Sequence, residues 1–234
     1  MTPAVRVAVA GTMGRMGTTA REALQASGEY CCGLARRADP HHSIFDSFSQ
    51  VLACKPDVLL DLTTQPGSYT IALEAVTNGL HTVVGASGWS DDQRAALGAA
   101  AQKHGVGALI VPNFSLGAML MMRFAQQAAR YFPDAEIVEL HHAGKKDKPS
   151  GTAAETAARM QRAGGRASVI HSVRLPGLLA HQEVLLGGTG ELLTIRHDSF
   201  SRESFVAGML AAVRAVVHRR GLSIGLDSVL GENA

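Results

Sequence analysis

VRVAVAGTMGRMG, residues 5–17, begins as a run of β-branched and small residues and ends on glycines at positions 11, 14 and 17. The run Val5–Ala10 has the character of a strand buried on both faces. A glycine triplet directly after such a strand, opening into a helix, serves close backbone approach at the turn. It also leaves N–H groups and a helix terminus that favour a diphosphate. The spacing here is GxxGxxG, a variant of the common GxGxxG dinucleotide fingerprint. A Walker-type phosphate loop does not fit, because no Gly-Lys-Ser/Thr closes the stretch.

Working outward, a strand–helix alternation continues. A helix is expected over about 18–27, a strand over 30–35, and a polar loop over 36–46. PDVLLDLT (56–63) reads as a strand with a polar end, 69–78 as a helix, HTVVGASG (81–88) as a strand ending in small residues, 91–103 as a helix and ALIV (108–111) as a strand. Repeated βα units imply a parallel sheet covered by helices, an α/β Rossmann-like domain. The second half changes character. It offers a long Met- and Ala-rich helix (116–131), the strand AEIVEL, a helix over 151–161, two strands meeting across Gly190, and an apolar helix over about 203–219. The expected organisation is a dinucleotide-binding domain over 1–114, to which the segment 203–234 returns, and an α+β domain over 115–202.

Composition narrows the function classes. With 46% hydrophobic residues in 234, the chain can bury a sizeable core. The 22 basic and 20 acidic residues leave +2, and only 5% of residues are aromatic, so no basic stripe with stacking platforms points to nucleic acid. No run of 18 apolar residues or leader-like segment is present, so no membrane role is expected. The three cysteines, Cys31, Cys32 and Cys54, suggest no disulfide framework and fit a reducing, cytoplasmic setting.

The end of the second strand holds Arg36 and Arg37 where a ribose-binding carboxylate is usual. Guanidinium groups suit a 2′-phosphate, with Arg15 a third positive group near it, so NADPH is favoured and NADH possible. Small, polar strand ends leave room for the nicotinamide ribose. Gly11, Arg15, Arg36, Arg37, Gly85, Ala86, Ser87, Asn113 and Phe114 are the candidate cofactor contacts.

ELHHAGKKDKPSGTA, residues 139–153, is the second informative stretch. Strand alternation puts Glu139 and His141 on one face and Leu140 and His142 on the other, so both histidines reach one atom only if the strand stops between them. A zinc site lacks a third ligand at suitable spacing, and no metal is expected. The lysines and the Ser150-Gly151-Thr152 helix start favour an anion, with a hydroxyl pair and backbone N–H groups to receive a carboxylate. His141 or Lys145 beside that anion is a candidate general acid, and the residues alone leave open which of them dominates. A nicotinamide domain joined to such a loop suggests reduction of a carboxylate-bearing C=C or C=N bond.

VAVAGTMGRMG, DLTTQPGS, VVGASG, VPNFSLG, ELHHAGKKDKPSGTA and RHDSFSRESFVAG occur in that order between residues 7 and 208. Together they resemble the 4-hydroxy-tetrahydrodipicolinate (dihydrodipicolinate) reductase family. The resemblance implies NAD(P)H-dependent reduction of a small cyclic dicarboxylate in lysine and diaminopimelate biosynthesis. It makes His141 the general acid with Lys145 its partner, His142 a substrate contact, and Gly151 with Thr152 the ligands of one carboxylate, and it adds Met16 to the cofactor contacts. It gives the second domain a mixed sheet, substrate-binding and oligomerisation roles, and a homotetramer, and it places Arg202 near the domain junction. Two departures are visible: Arg36 stands where the family has an acid, and GASG replaces Gly-Thr-Thr-Gly. The runners-up are another NADPH-dependent reductase of a small carboxylated imine or semialdehyde, and a non-catalytic nucleotide-binding regulator.

Overall fold

The structure is a computed structural model describing residues 5–230; the last residues, GENA, lie outside the described residues. The chain divides into two compact units, 1–114 with 205–234 and 115–204.

The first unit opens with β1 (Val7–Ala10), α1 (Arg15–Ala26), β2 (Tyr30–Leu34) and a two-residue β3 (Ile44–Phe45). It continues with α2 (Phe48–Ala53), β4 (Val58–Asp61), α3 (Gly67–Thr77), β5 (His81–Val84), α4 (Asp91–His104) and β6 (Gly107–Ile110). Helix α1 begins three residues earlier than its apolar spacing suggests, because Gly14 is already its N-cap. The stretch 36–46, expected to be loop, holds a 3₁₀ turn at Pro40–His42 and β3. Six-residue α2, which has no clear periodicity, starts on the Ser47 hydroxyl. Helix α4 is bounded by a Ser90–Gln93 capping box and by Gly105 in the left-handed region at φ +68°.

The second unit comprises α5 (Leu116–Ala128), β7 (Asp134–His141), α6 (Gly151–Arg162), β8 (Val169–Arg174), β9 (Ala180–Gly188) and β10 (Glu191–Ser199). Its sheet has the order β10-β9-β7-β8, with β7–β8 parallel and the other pairs antiparallel. This is a mixed sheet. Ile137, Val184 and Leu186 on one face pack against Ala125 of α5 and against Ala153 and Met160 of α6, forming this unit's core. Strand β8 was not expected: VIHSVR pairs two apolar residues with two polar ones and so lacks strand alternation, and it is exposed or half-exposed throughout.

The chain then supplies α7 (Val206–Val216), β11 (Gly221–Ile224) and α8 (Asp227–Leu230) to the first unit. The completed sheet is parallel throughout, in the order β11-β6-β5-β4-β1-β2-β3. From β3 to β6 this is the doubly wound dinucleotide-binding order. Helices α2, α3 and α4 cover one face, where Ala8, Leu59, Ala108 and Ile110 are buried. On the other face Leu60 meets Leu24 of α1 and Met209 of α7. Arg214 of α7 also donates two hydrogen bonds, at 2.9 and 2.7 Å, to the buried carboxylate of Glu29 before β2. That guanidinium is the largest influence on Glu29: it outweighs burial, which acts the other way, and with the Ser27 hydroxyl it holds the carboxyl below its ordinary range. Among the described residues, no helix is long and apolar enough to cross a membrane.

Candidate active site

In the first unit, the loops following β1, β4 and β5 meet at the carboxyl edge of the sheet. Gly11, in the left-handed region at φ +77°, lies so close to the next loop that a Cβ would sit 2.9 Å from the Leu62 carbonyl oxygen. A Cβ on Gly17 would sit 2.0 Å from the Gly11 carbonyl oxygen and 2.7 Å from Thr12 Cα. The turn therefore folds back on itself with no room for a side chain. Serine side chains cap α4, α5 and α6, whereas α1 has Gly14 at its cap, no capping side chain and no acid in its first turn. A bound diphosphate would supply that anionic partner.

The loop after β4 is organised by Asp61. Its buried carboxylate accepts from the Thr63 N–H at 2.9 Å, the Thr63 hydroxyl at 2.6 Å and the Ser68 hydroxyl. Burial nevertheless keeps its pKa above the ordinary carboxylate value. Within this loop the side-chain amide of Gln65 has both its oxygen and its nitrogen buried and unpartnered, as expected of a group facing a ligand. The glycine turn, the uncapped helix and this orphaned amide fit a dinucleotide.

The predicted cofactor residues fall into distinct groups. Gly11 donates its N–H to Leu34 at the end of β2, so Arg36 and Arg37, both exposed, follow directly on the strand beside the glycine turn. Arg15 is exposed at the first residue of α1, with half-buried Met16 next to it. Gly85 lies against the Phe114 ring and the Leu62 side chain, while Ser87 is exposed. Ala86 packs its methyl into the core with Trp89, and Phe114 is buried. Those two side chains shape the wall, and from Ala86 only the backbone is left for a ligand. Half-buried Asn113 follows β6, one residue before Phe114 closes the unit's first segment.

In the second unit, β7 ends at His141, so the strand does stop between the two histidines. His142 is exposed, and its carbonyl accepts from the Lys145 N–H in the turn that follows. His141 Nδ1 lies 2.5 Å from Oε2 of Glu139, whose side chain is fully buried. Burial depresses the His141 pKa most strongly; Glu139 opposes that, and Lys145 and Arg174 add to it. The Lys145 ammonium pairs with Asp147 at 2.8 Å.

The start of α6 differs from expectation in one respect. The Ser150 hydroxyl caps the helix by accepting from the Ala153 N–H, and the Ser150 N–H donates to Glu139 at 3.3 Å. Ser150 is thus buried and committed internally, and does not form half of a ligand-facing hydroxyl pair. Gly151 is exposed, with open space where a Cβ would stand, and half-buried Thr152 follows it in the first turn. Arg202 lies half-buried in the 3₁₀ turn Arg202–Phe205.

Sequence reasoning passed over Arg174. Parallel pairing sets it beside His141, and its fork grips Glu139 at 2.7 and 2.8 Å. Only a prediction of β8 together with its register would have revealed it. Among the described residues, no cluster of three His, Cys, Asp or Glu side chains has the geometry of a metal site.

Comparison with known proteins agrees with this geometry. Residues 5–114 match the model of the dihydrodipicolinate reductase N-terminus, and residues 117–230 that of its C-terminus. The chain belongs to the dihydrodipicolinate reductase family. It is 41% identical to the 4-hydroxy-tetrahydrodipicolinate reductase of Enterococcus faecalis, over 97% of this chain and 100% of that protein. Identity is also 41% to the corresponding reductase of Cutibacterium acnes, over 97% and 99% of the two chains. Among solved structures, the dipicolinate-bound dihydrodipicolinate reductase of Paenisporosarcina sp. TG-14 superposes with a TM-score of 0.85 at 34% identity, covering 96% of this chain and 99% of that one.

Proposed function

We infer that the two units serve one reaction, the first holding a nicotinamide dinucleotide and the second binding an anionic substrate and giving it a proton. As a family member, the chain is an NAD(P)H-dependent oxidoreductase that reduces 4-hydroxy-tetrahydrodipicolinate in diaminopimelate and lysine biosynthesis, with loss of water. The observation that carries this reading is the meeting of His141, Lys145 and the start of α6 at the end of β7.

Gly11, Arg15, Met16, Gly85, Ser87, Asn113, Phe114 and the Ala86 backbone are the cofactor contacts on this reading. Arg36 and Arg37 face the 2′-phosphate, so NADPH is preferred and NADH accepted less well. The reduced nicotinamide supplies a hydride. Gly151 and Thr152, at the positive end of α6, hold one substrate carboxylate, and His142 contacts the same ligand. His141 and Lys145 deliver the proton to the electron-rich atom next to the one reduced. Burial lowers the His141 pKa, which disfavours its charged form, while Glu139 opposes that shift.

The enzyme acts in the cytoplasm, in keeping with its three free thiols. It assembles as a homotetramer through the face of the β7–β10 sheet opposite α5 and α6, where Val169 and Leu192 are 55% and 64% exposed. Sedimentation at micromolar concentration tests the assembly.

The functional test is a coupled assay that generates the unstable cyclic substrate in situ and follows nicotinamide oxidation by absorbance. Turnover of the cyclic dicarboxylate well above that of open-chain imino acids is expected. Equal rates on both, or cofactor binding with no turnover, would contradict the assignment.

A further inference from the structure

Glu139 is a fully buried carboxylate with more donors around it than its position on a strand requires. Oε2 receives His141 Nδ1 at 2.5 Å and Arg174 Nη1 at 2.8 Å. Oε1 receives Arg174 Nη2 at 2.7 Å and the Ser150 N–H at 3.3 Å. Arg174, its side chain only 6% exposed, uses the same Nη2 to hold the Asp147 carbonyl at 2.7 Å. Asp147 in turn pairs with the Lys145 ammonium. One buried guanidinium thus grips both the carboxylate behind His141 and the turn that carries Lys145.

The proton inventory follows. Burial works against ionising Glu139, but hydrogen bonds from Arg174, Ser172 and His141 together outweigh it and hold the carboxyl below its ordinary range. An ionised carboxylate only accepts hydrogen bonds, so the His141 nitrogen facing it must carry hydrogen. In the neutral ring that leaves Nε2 bare, and in the charged ring it makes Nε2–H the proton that can depart.

We propose that Glu139, clamped by Arg174, is a positioning residue that holds His141 in its Nδ1–H form and so reserves Nε2 for proton exchange with the substrate. When charged His141 gives up its Nε2 proton, the bond to hydrogen breaks there and forms on the substrate atom. The hydrogen bond from Nδ1–H to Glu139 is kept throughout; the ring is left neutral with Nε2 bare, and it takes a proton from solvent at Nε2 before the next turnover. The charged groups that act on the ring are Glu139, Lys145 and Arg174, with Asp147 balancing Lys145. The inference deepens the assignment of His141 to proton transfer and rests on it.

Glu139→Gln tests it, because an amide cannot accept from the Arg174 fork and His141 together with the capacity of a carboxylate. Nitrogen-15 imidazole spectra, with the His141 signal identified by its loss in His141→Asn, need no substrate. They would show wild-type neutral His141 protonated at Nδ1, and Glu139→Gln moved to the Nε2–H form or a mixture. In steady state, kcat falls by about 10²-fold, NADPH affinity and substrate KM stay within about twofold, and the alkaline limb of the pH–rate profile, where the charged ring is lost, moves to lower pH because Glu139 no longer raises the His141 pKa. Should Glu139→Gln not fold, Arg174→Lys, which keeps the charge and loses the fork, is expected to give the same shift in part. An unchanged Nδ1–H form in a folded variant, or a loss confined to KM or cofactor affinity, overturns the inference. Absence of turnover by wild type on the cyclic substrate would instead sink the functional reading and leave the imidazole result standing.

Discussion

Gly17→Ala is the most direct challenge to the dinucleotide assignment. The added methyl would lie 2.0 Å from the Gly11 carbonyl oxygen, whereas ordinary contact begins at 3.4 Å, so about 1.4 Å (3.4 − 2.0) of overlap must be relieved. The obstruction is backbone on both sides, and no rotamer change clears it. The turn therefore opens, and the N–H groups at the start of α1 leave the diphosphate. Losing two charge-assisted hydrogen bonds at about 1.5 kcal/mol each amounts to about 3 kcal/mol, or roughly 10²-fold in dissociation constant. The assay is NADPH binding by calorimetry or nucleotide fluorescence, on protein whose melting transition confirms that it is folded. Gly67→Ala is the control, because a methyl at that first residue of α3 meets nothing within 4 Å. A folded Gly17→Ala protein binding NADPH within twofold of wild type would refute the claim that this turn carries the dinucleotide.

Other outcomes follow from the same structure. His141→Ala and Lys145→Ala are each expected to slow turnover by about 10²–10⁴-fold, with NADPH affinity nearly intact; equal loss of cofactor affinity in both would remove them from the substrate side. Arg37→Ala should weaken NADPH roughly tenfold, about 1.4 kcal/mol, and leave NADH within twofold; matched losses would reject the 2′-phosphate role. Arg214→Ala strands the Glu29 carboxylate beside Ser27. After discounting for the half-exposed guanidinium, that costs about 1–2 kcal/mol, or roughly 2–8 °C in melting midpoint. Because Arg214 lowers the folded-state pKa of Glu29, its stabilisation is complete above the unfolded carboxyl pKa of about 4.3 and is lost as pH falls through the lower folded value. Wild type and variant should therefore converge in acid melts, and a constant gap down to pH 2 would disprove that coupling.

The parts of the fold readable from sequence were those with a strong local signal. Val7–Ala10 followed by glycines at fixed spacing has few alternative conformations, and the four central strands are short runs dominated by apolar residues and buried at almost every position. Helix α2 and strand β11 carry only six and four residues, too few for a period to emerge, and β11 is specified by its pairing with β6. At the candidate site, alternation was enough to place Glu139 beside His141. Whether Ser150 faced a ligand or capped its own helix was not local information, because its N–H partner, Glu139, lies eleven residues back. Arg174 depends on a β8 register that no short-range pattern encodes.

The insertion of residues 115–204 between β6 and α7 has a consequence for biosynthesis. When the ribosome has completed β6, the nascent sheet still lacks β11 along that edge and α7 over Leu60. The wait from the end of β6 to the end of β11 spans 114 codons (224 − 110), about 6–23 s at elongation rates of roughly 5–20 residues per second. Through that interval an unpaired strand and an uncovered apolar surface are open to chaperones and to mispairing. A premature stop after residue 204 would therefore cripple the half of the molecule translated first, as well as removing its tail.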